Sequence, residues 1–405
     1  MTSGHVVVVE HVYVFAAPFT VTLSLLVIGG LLALFMIGGL VERFGYLCRR
    51  LLLRSKAQSQ GQLPTHDVLP CVCVQLPMFN EGAVAARAIE AACRLDWPRD
   101  RLEVQVLDDS TDAGVRAVVD AAVAHWEASG IDCYVLRRSI REGYKAGALE
   151  CGRRRTRAKF LAIFDADFVP EATFLHHVMP GFYDPEGVLL SDLAMVQGRW
   201  THLNAADNPL TWAQTLWIDD HHVSQMGWRS EAWQFVNFTG TAGVWRAEAI
   251  EDAGGWSART LVEDCELSLR TLFAGYRTQF VSVPVPAELP ASVVAYKAQQ
   301  RRWTLGWAQL LRLHLGTLLW RYECPPAKRL HLLYHATLSV SPARPPSPSL
   351  LATRTLPASS LLGLSHSLCR HPAVAATVAP LVGMVPAPAA GCHSRLFSTL
   401  KQPRA

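Results

Sequence analysis

The chain has 405 residues, enough for two or three average domains, and 50% of them are hydrophobic, with a mean hydropathy of +0.16, which is high for a purely soluble protein. The formal net charge is only +4, and no basic run is interleaved with aromatic residues, which argues against a nucleic-acid partner. Ten cysteines are scattered without CxxC pairs at zinc-ligand spacing. We therefore expect reduced thiols, without a disulfide framework or a structural metal.

An uncharged, apolar segment occupies residues 12–41. About 20 apolar residues suffice to cross a bilayer, so the segment predicts a transmembrane helix; the alternative, a secretory signal peptide, has a shorter apolar run. No Lys or Arg precedes the segment, whereas five follow it, at Arg43, Arg49, Arg50, Arg54 and Lys56. By the positive-inside rule, we expect an integral membrane protein whose folded domain is cytoplasmic.

Residues 1–54 thus form a predicted anchor with its basic flank, and the polar, aperiodic residues 55–68 form a linker. From residue 69 onward, helix-like segments separate five short β-rich runs, LPCVCVQLP, LEVQVLDD, CYVLRR, KFLAIFDAD and AMVQGRW. This alternation predicts an α/β fold with a parallel, doubly wound sheet covered by helices on both faces. Ligands of such sheets bind beyond the carboxyl ends of the strands.

Three of the predicted strands end in polar clusters, at Asn80-Glu81, at Asp108-Asp109-Ser110-Thr111-Asp112 and at Asp165-Ala166-Asp167. Because the carboxyl ends of parallel strands meet at one edge of a sheet, we expect the three clusters to face a common crevice. Ser110, Thr111 and Asp112 have an equally good alternative as a helix N-cap, a position that these residue types favour.

The third cluster places two carboxylates, Asp165 and Asp167, one residue apart at a strand end. Carboxylates this close repel each other unless a cation lies between them. Mg²⁺ or Mn²⁺ is suited to such a pair, because hard divalent ions complete their coordination with water and substrate phosphates. The pair therefore predicts a divalent metal and a diphosphate ligand, although isolated DxD triplets are common by chance.

Eight strings occur in an order that resembles the processive, inverting glycosyltransferases of family 2: VQLPMFNE, VLDDSTD, GYKAGAL, FDADF, VQGRW, FTGTAGVWR, GGW with VEDCELSLR, and QQRRW. Within that family the chain is most similar to the cellulose-synthase-like glucomannan and mannan synthases. The resemblance covers residues 72–307. It implies a GT-A-like, nucleotide-sugar-binding catalytic domain at residues 69–307.

The resemblance also implies site residues. The nucleotide-sugar site would comprise Asp108, Asp109, Lys145, Asp165, Asp167 and Arg302, with the metal on Asp165 and Asp167. Asp264 would be the catalytic base, and the acceptor site would comprise Thr239, Gly240, Thr241, Glu263, Gln299 and Trp303. The alternatives are a helix cap for Asp264, a solvated charge for Arg302 and a membrane-interface aromatic for Trp303.

The implied reaction moves a hexose from GDP-mannose, GDP-glucose or UDP-glucose to a β-linked glycan. A carboxylate at Asp264 would accept the proton of the attacking hydroxyl, and the anomeric configuration would invert. A lipid acceptor remains an alternative, as does a non-catalytic remnant that binds nucleotide sugar without turnover.

The C-terminal region is atypical for this family. Residues 308–340 predict an interfacial amphipathic helix and the start of a membrane helix. Residues 341–405 contain ten of the 24 prolines, six Lys or Arg and no Asp or Glu. Prolines at this density prevent a regular span, so we expect either a disordered tail or the product of a reading-frame shift near codon 341.

Overall fold

The computed structural model describes residues 36–51, 61–64 and 69–338, together with single residues between 22 and 33. Much of the predicted transmembrane segment and all of the Pro-rich tail lie outside the described residues. Within the described parts of the chain, none of the helices combines the length and the apolar character that a membrane crossing requires.

The domain is built on one seven-stranded mixed sheet with the strand order β3-β2-β1-β4-β6-β5-β7. Its strands are β1 (Val72–Met78), β2 (Leu102–Asp108), β3 (Asp132–Leu136), β4 (Phe160–Ile163), β5 (Leu193–His202), β6 (Gly243–Arg246) and β7 (Arg277–Ala287). β1 to β4 are mutually parallel where they pair. The five strands predicted from the sequence are all present.

The expectation of a wholly parallel sheet is wrong for β6, which pairs antiparallel with both β4 and β5. The route of the chain explains the difference. After β5 the chain crosses two helices and returns through residues 239–242, which lie beside Asp165 at the carboxyl end of β4. β6 therefore starts at the edge where its neighbours end, and it must run in the opposite direction.

The helices lie before, between and after the strands. They are α1 (residues 36–51), α2 (Ala85–Cys93), α3 (Ala113–Ala128), α4 (Tyr144–Arg153), α5 (Phe174–Val178), α6 (Pro209–Asp219), α7 (Gly227–Trp233), α8 (Ala247–Asp252), α9 (Glu263–Phe273), α10 (Val293–Gly316) and α11 (Pro326–Leu338). A π-helical turn at Asp220–Met226 joins α6 to α7.

Alternating side chains of the strands feed two apolar clusters, one on each face of the sheet. In β1, Val72, Val74 and Leu76 belong to one cluster, and Cys73 belongs to the other. Period-two alternation is the signature of a strand with distinct faces. Gln75 is also fully buried in β1, where its amide donates to Gln105 Oε1 of β2 at 3.0 Å.

The C-terminal helices form a third apolar cluster with α9. Trp307 and Leu310 of α10 and Leu332 of α11 pack there with Leu269 and Leu272. The domain boundary predicted after residue 307 consequently falls inside a continuous helix. The segment also keeps exposed apolar side chains, including Trp320 (81% exposed) and Leu330 (69%).

Two segments predicted to precede the domain contact it directly. In the predicted linker, the Gln62 N–H donates to Asp184 O at 3.1 Å. In α1, the carboxylate of Glu42 accepts from Arg229 Nε of α7 at 2.7 Å, and both side chains are 1% exposed. The described helix α1, which includes the start of the basic flank, therefore packs on the folded domain.

The Glu42–Arg229 pair makes the docking of α1 testable. Arg229→Met leaves a buried carboxylate without its counter-charge, and such a loss destabilises a protein by about 3–5 kcal/mol. We expect a fall of this size in the free energy of unfolding, measured by denaturant titration. The matched control is Arg43→Met, because Arg43 pairs with Asp220 through side chains that are 46% and 27% exposed, and it should change stability by less than about 1 kcal/mol. Equal effects of the two variants would contradict a docked α1.

Candidate active site

The carboxyl ends of β1 and β2 are joined by Asn80. Its backbone N–H donates to Ser110 Oγ at 2.9 Å, and its side-chain oxygen accepts from Thr111 N at 2.9 Å. Asp112 is the N-cap of α3 and accepts from Val115 N at 2.9 Å. The capping alternative is therefore confirmed for Asp112, whereas Ser110 and Thr111 connect the two strand ends.

Asp108 and Asp109 lie at this edge, where they form ion pairs with arginines that the sequence patterns did not indicate. Arg137 donates to Asp108 Oδ2 at 2.8 Å, and Asp108 is 1% exposed. Asp109 is bound by Arg138 through both carboxylate oxygens, with Arg141 3.7 Å away. Both carboxylates thus hold the arginine-rich segment after β3 against the sheet.

An aromatic and guanidinium stack lies next to Asp109. The guanidinium carbon of Arg141 is 3.4 Å from the centroid of the Phe79 ring and 5.1 Å from that of Tyr144. Tyr144 is 66% exposed and Phe79 36%, so both rings are partly open to solvent. Both aromatics stand inside recognised strings, VQLPMFNE and GYKAGAL, but only the fold brings them together.

Lys145 of α4 reaches the third cluster. Its ammonium is 2.5 Å from Asp165 Oδ1 and donates to Gly240 O at 2.8 Å. Burial alone would lower the pKa of Lys145, but the charges of Asp165, Glu263 and Asp264 outweigh it and raise the pKa. The lysine is therefore a permanent cation between two groups of carboxylates.

The environment of Asp165 and Asp167 fits a divalent cation. Burial, followed by the charge of Asp165, raises the pKa of Asp167 to about 7, and burial with the same charge raises the pKa of Glu81. A bound cation would relieve this repulsion. Among the described residues, no group of three or more His, Cys, Asp or Glu side chains could hold a metal by itself.

The loop of residues 239–242 borders the carboxylate pair. Thr241 is buried and its hydroxyl accepts from Asp165 N at 2.9 Å. Gly240 has φ +85°, a left-handed conformation that disfavours other residues. A Cβ at Gly240 would lie 3.0 Å from Asp264 Oδ2 and 3.4 Å from Lys145 Nζ. The loop therefore contacts the backbone of Asp165, the ammonium of Lys145 and the region of Asp264 together.

Asp264 is the second residue of α9, and Val262, not Asp264, is the N-cap. One of its oxygens accepts from Cys265 N at 2.7 Å, while the other points toward Gly240. Burial, followed by the charge of Glu263, raises the pKa of Asp264 to about 7. The helix-cap alternative for Asp264 is therefore wrong. The bond from Cys265 N accounts for one oxygen, and the other is directed toward the loop.

The three predicted residues of α10 share one helix face, since Gln299, Arg302 and Trp303 are three and four positions apart. Burial raises the pKa of Glu263, and the charge of Arg302 acts against it, which places the guanidinium near this carboxylate. Gly306 packs on Val262, because a Cβ there would lie 2.6 Å from its Cγ1. This close approach sets α10 beside the start of α9.

Comparison with known families agrees with this architecture. Residues 160–382, more than half of the chain, match the family described as Glycosyl transferase family group 2. The chain belongs to this family. The match begins at β4, the strand that leads to Asp165 and Asp167, and includes the loop 239–242 and Asp264.

Several plant proteins are similar in sequence. The chain is 41% identical over 274 residues to the probable glucomannan 4-beta-mannosyltransferase 10 of Arabidopsis thaliana, which covers 66% of this chain and 49% of that protein. It is 42% identical over 269 residues to the probable glucomannan 4-beta-mannosyltransferase 11 of Oryza sativa subsp. japonica, covering 65% and 46%. The chain thus spans about half the length of these relatives.

Among solved structures, the fold is similar to that of the mannosyltransferase PcManGT from Pyrobaculum calidifontis in complex with GDP-Man and Mn²⁺. The TM-score is 0.53 at 20% sequence identity, and the match covers 85% of this chain and 93% of that chain. At this identity the likeness concerns the fold alone. It agrees with the predicted GT-A-like sheet.

The raised pKa of Asp264 predicts a pH dependence of stability. An unfolded aspartate titrates near 3.9, so the folded chain holds this proton to higher pH than the unfolded chain does. The stability that it contributes is complete below about pH 4 and is lost as the pH rises through 7. Without metal or nucleotide, we expect Asp264→Asn to match the wild type at pH 4 and to exceed its unfolding free energy by on the order of 2 kcal/mol at pH 8.

Asp192→Asn is a control of opposite sign, because a hydrogen bond from Arg277 lowers the pKa of Asp192. This variant should lose stability at pH 8 and lose less as the pH falls below 4. Denaturant titrations at several pH values measure both. An Asp264→Asn variant that is less stable than the wild type at pH 8 would refute the buried, proton-retaining carboxyl.

Proposed function

We propose that this chain is a membrane-bound, inverting glycosyltransferase that moves a hexose from a nucleotide sugar to a β-linked glycan. The observation that carries the proposal is the contact of one loop, residues 239–242, with Lys145, Asp165 and Asp264. The loop thereby brings together Lys145 as a cation for a diphosphate, Asp165 as a candidate metal ligand, and Asp264 as a buried carboxyl of raised pKa. Sugar transfer from a nucleoside diphosphate needs these three groups.

On the donor side, Asp165 and Asp167 would hold Mg²⁺ or Mn²⁺, and the ion would neutralise charge on the diphosphate. Lys145 would donate to the same diphosphate, and Arg302 would approach it from α10. Asp109 would act mainly through the arginines it positions, next to the partly exposed rings of Phe79 and Tyr144. An exposed aromatic ring such as Tyr144 suits the stacking of a nucleobase.

On the acceptor side, Asp264 would accept the proton of the sugar hydroxyl as that hydroxyl attacks the anomeric carbon. The Cys265 N–H holds one oxygen of Asp264 and leaves the other free for the acceptor. When the pKa of a base lies near the working pH, a substantial fraction of the base is ionised, and the ionised form still has a high proton affinity. Attack opposite the leaving group inverts the configuration, without a covalent enzyme intermediate.

The remaining predicted residues would form the acceptor pocket around this base. Thr239, Gly240 and Thr241 lie on the loop, Glu263 precedes Asp264, and Gln299 and Trp303 approach from α10. Trp303 is half-buried, so its exposed part can stack on a sugar ring. A β-linked glycan presents flat faces that fit such an aromatic.

The names of the relatives support the proposed donor and acceptor. Proteins named glucomannan 4-beta-mannosyltransferases are 41–42% identical to this chain, which favours GDP-mannose and GDP-glucose over UDP-glucose. The apolar residues 12–41 and the basic residues after them support membrane anchoring with a cytoplasmic domain. The exposed apolar side chains of α1, including Leu40 and Phe44, agree with this placement.

A donor panel tests the proposal. Membranes containing the full chain would receive radiolabelled GDP-mannose, GDP-glucose or UDP-glucose, a β-1,4-linked manno-oligosaccharide, and Mg²⁺, Mn²⁺ or EDTA. We expect a β-linked product from at least one donor, abolished by EDTA, and a loss of about 10²–10⁴ in rate for Asp264→Asn with nucleotide binding retained. Nucleotide binding by calorimetry without product from any donor would instead support a non-catalytic remnant.

Gly240→Ala tests the shared loop. Its Cβ would press on Asp264 and Lys145 at a position with φ +85°, so we expect sugar transfer to fall about 100-fold. The matched control is Gly275→Ala, where φ is +93° but nothing lies within 4 Å of the added Cβ. It carries the same backbone strain away from the site and should keep activity within about threefold. If Gly240→Ala and Gly275→Ala lost the same activity at the same stability, the contact between the loop and these side chains would have no role in sugar transfer.

A further inference from the structure

The string VQGRW of β5 contains a buried amide with an unusual set of partners. Gln197 is fully buried, and its side-chain oxygen accepts from Thr239 N at 3.0 Å. Its amide nitrogen donates to Thr241 O at 3.0 Å and to Ala242 O at 3.1 Å, as well as to Gly198 O at 3.0 Å. One side chain therefore binds the loop 239–242 at both ends.

This loop does not hold its conformation through local preference. Gly240 has φ +85° and Ala242 has φ +58°, and a left-handed conformation is uncommon for alanine. Strained backbone of this kind persists only where the surroundings fix it. Gln197 supplies three of the hydrogen bonds that do so.

The other side of the loop faces the proposed reaction. Gly240 O accepts from Lys145, and the Thr241 hydroxyl accepts from Asp165 N. Gly240 also lies against Asp264, since a Cβ there would be 3.0 Å from its Oδ2. The loop is thus the shared wall between the donor groups and the base, and Gln197 is attached to the back of that wall.

We propose that Gln197 is a positioning residue for sugar transfer: by fixing the loop 239–242, it sets the placement of the base Asp264 relative to Lys145 and Asp165. This inference rests on the proposed function. Gln197 itself is fully buried and touches the loop backbone, not Asp264. A displacement of about 1 Å in a reacting group can lower a rate about 100-fold, so a residue behind the site can carry this effect.

The chain offers a matched control. Gln75 of β1 is also a fully buried strand glutamine with an amide partner, Gln105 Oε1 at 3.0 Å, but it does not bind the loop. Gln→Met at either position keeps the side-chain length and removes the hydrogen bonds. Both variants leave buried polar partners unsatisfied, and both should lose stability for this reason. If Gln197 only supported the fold, the two variants would lose activity per folded site to a similar extent.

The experiment compares Gln197→Met, Gln75→Met and the wild type, as full-length chains purified in detergent. Calorimetry with the nucleoside diphosphate of the active donor counts the folded sites, and kcat is expressed per site. We expect kcat of Gln197→Met to fall about 30-fold to 100-fold with nucleotide Kd changed less than about threefold, and kcat of Gln75→Met to stay within about threefold. Comparable kcat per site in the two variants would overturn the proposal.

Gln197→Glu adds a rescue test. A glutamic acid side chain accepts from Thr239 N in either state, but it donates to the loop carbonyls only when protonated. Its activity relative to the wild type, measured at the same pH, should be higher at pH 6 than at pH 8. A ratio that does not change with pH while Gln197→Met stays inactive would argue against hydrogen bonding to the loop.

Hydrogen exchange separates failure of this proposal from failure of the proposed function. If the wild type transfers no sugar, the proposed function has failed, but the positioning of the loop is still measurable. We expect the amides of residues 239–242 to exchange at least about tenfold faster in Gln197→Met and to be unchanged in Gln75→Met. Unchanged exchange in Gln197→Met would refute the positioning role regardless of activity.

Discussion

The ammonium of Lys145 is the interaction on which the site depends. It lies between Asp165 and the Gly240 carbonyl, and the charges of Glu263 and Asp264 also act on it. One lysine does not balance these carboxylates. Burial, followed by the charge of a neighbouring carboxylate, raises the pKa of both Asp167 and Asp264 to about 7. The free site therefore has a surplus of negative charge, which an incoming metal ion can neutralise.

The acidic residues at this sheet edge divide into two electrostatic classes. Asp108 and Asp109 are compensated by Arg137, Arg138 and Arg141 within the protein. Asp167 and Asp264 differ from them, because burial and the charge of a neighbouring carboxylate raise the pKa of each to about 7. Compensated carboxylates stabilise local structure, whereas under-compensated ones mark places where a ligand completes the charge balance. This distinction supports the proposed roles better than proximity alone.

Local patterns in the sequence predicted much of this arrangement. The N-cap alternative for Asp112 and the strand that leads to Asp165 and Asp167 both follow from short-range signals. What could not be predicted depends on contacts between distant residues. The antiparallel β6, the hydrogen bonds from Gln197 to the loop and the stack of Arg141 on Phe79 each join segments whose proximity is set only by the folded sheet. The proposed roles of Asp264 and Gln299 rest on family resemblance. The residues around each of them form a pattern that any exposed helix surface could show.

The helices after the sheet belong to the same physical unit as Asp264, the proposed base. Asp264 is held by α9, whose buried Glu266 binds Arg270 at 2.8 Å, His314 of α10 at 3.0 Å and Arg259 at 3.1 Å. In α11, His335 bonds Asn237 at 3.0 Å, and the Asn237 amide contacts Cys265 Sγ, next to Asp264. Through these contacts α10 and α11 brace the start of α9, so the position of Asp264 depends on both helices. Residues 308–338 therefore support the candidate site from behind.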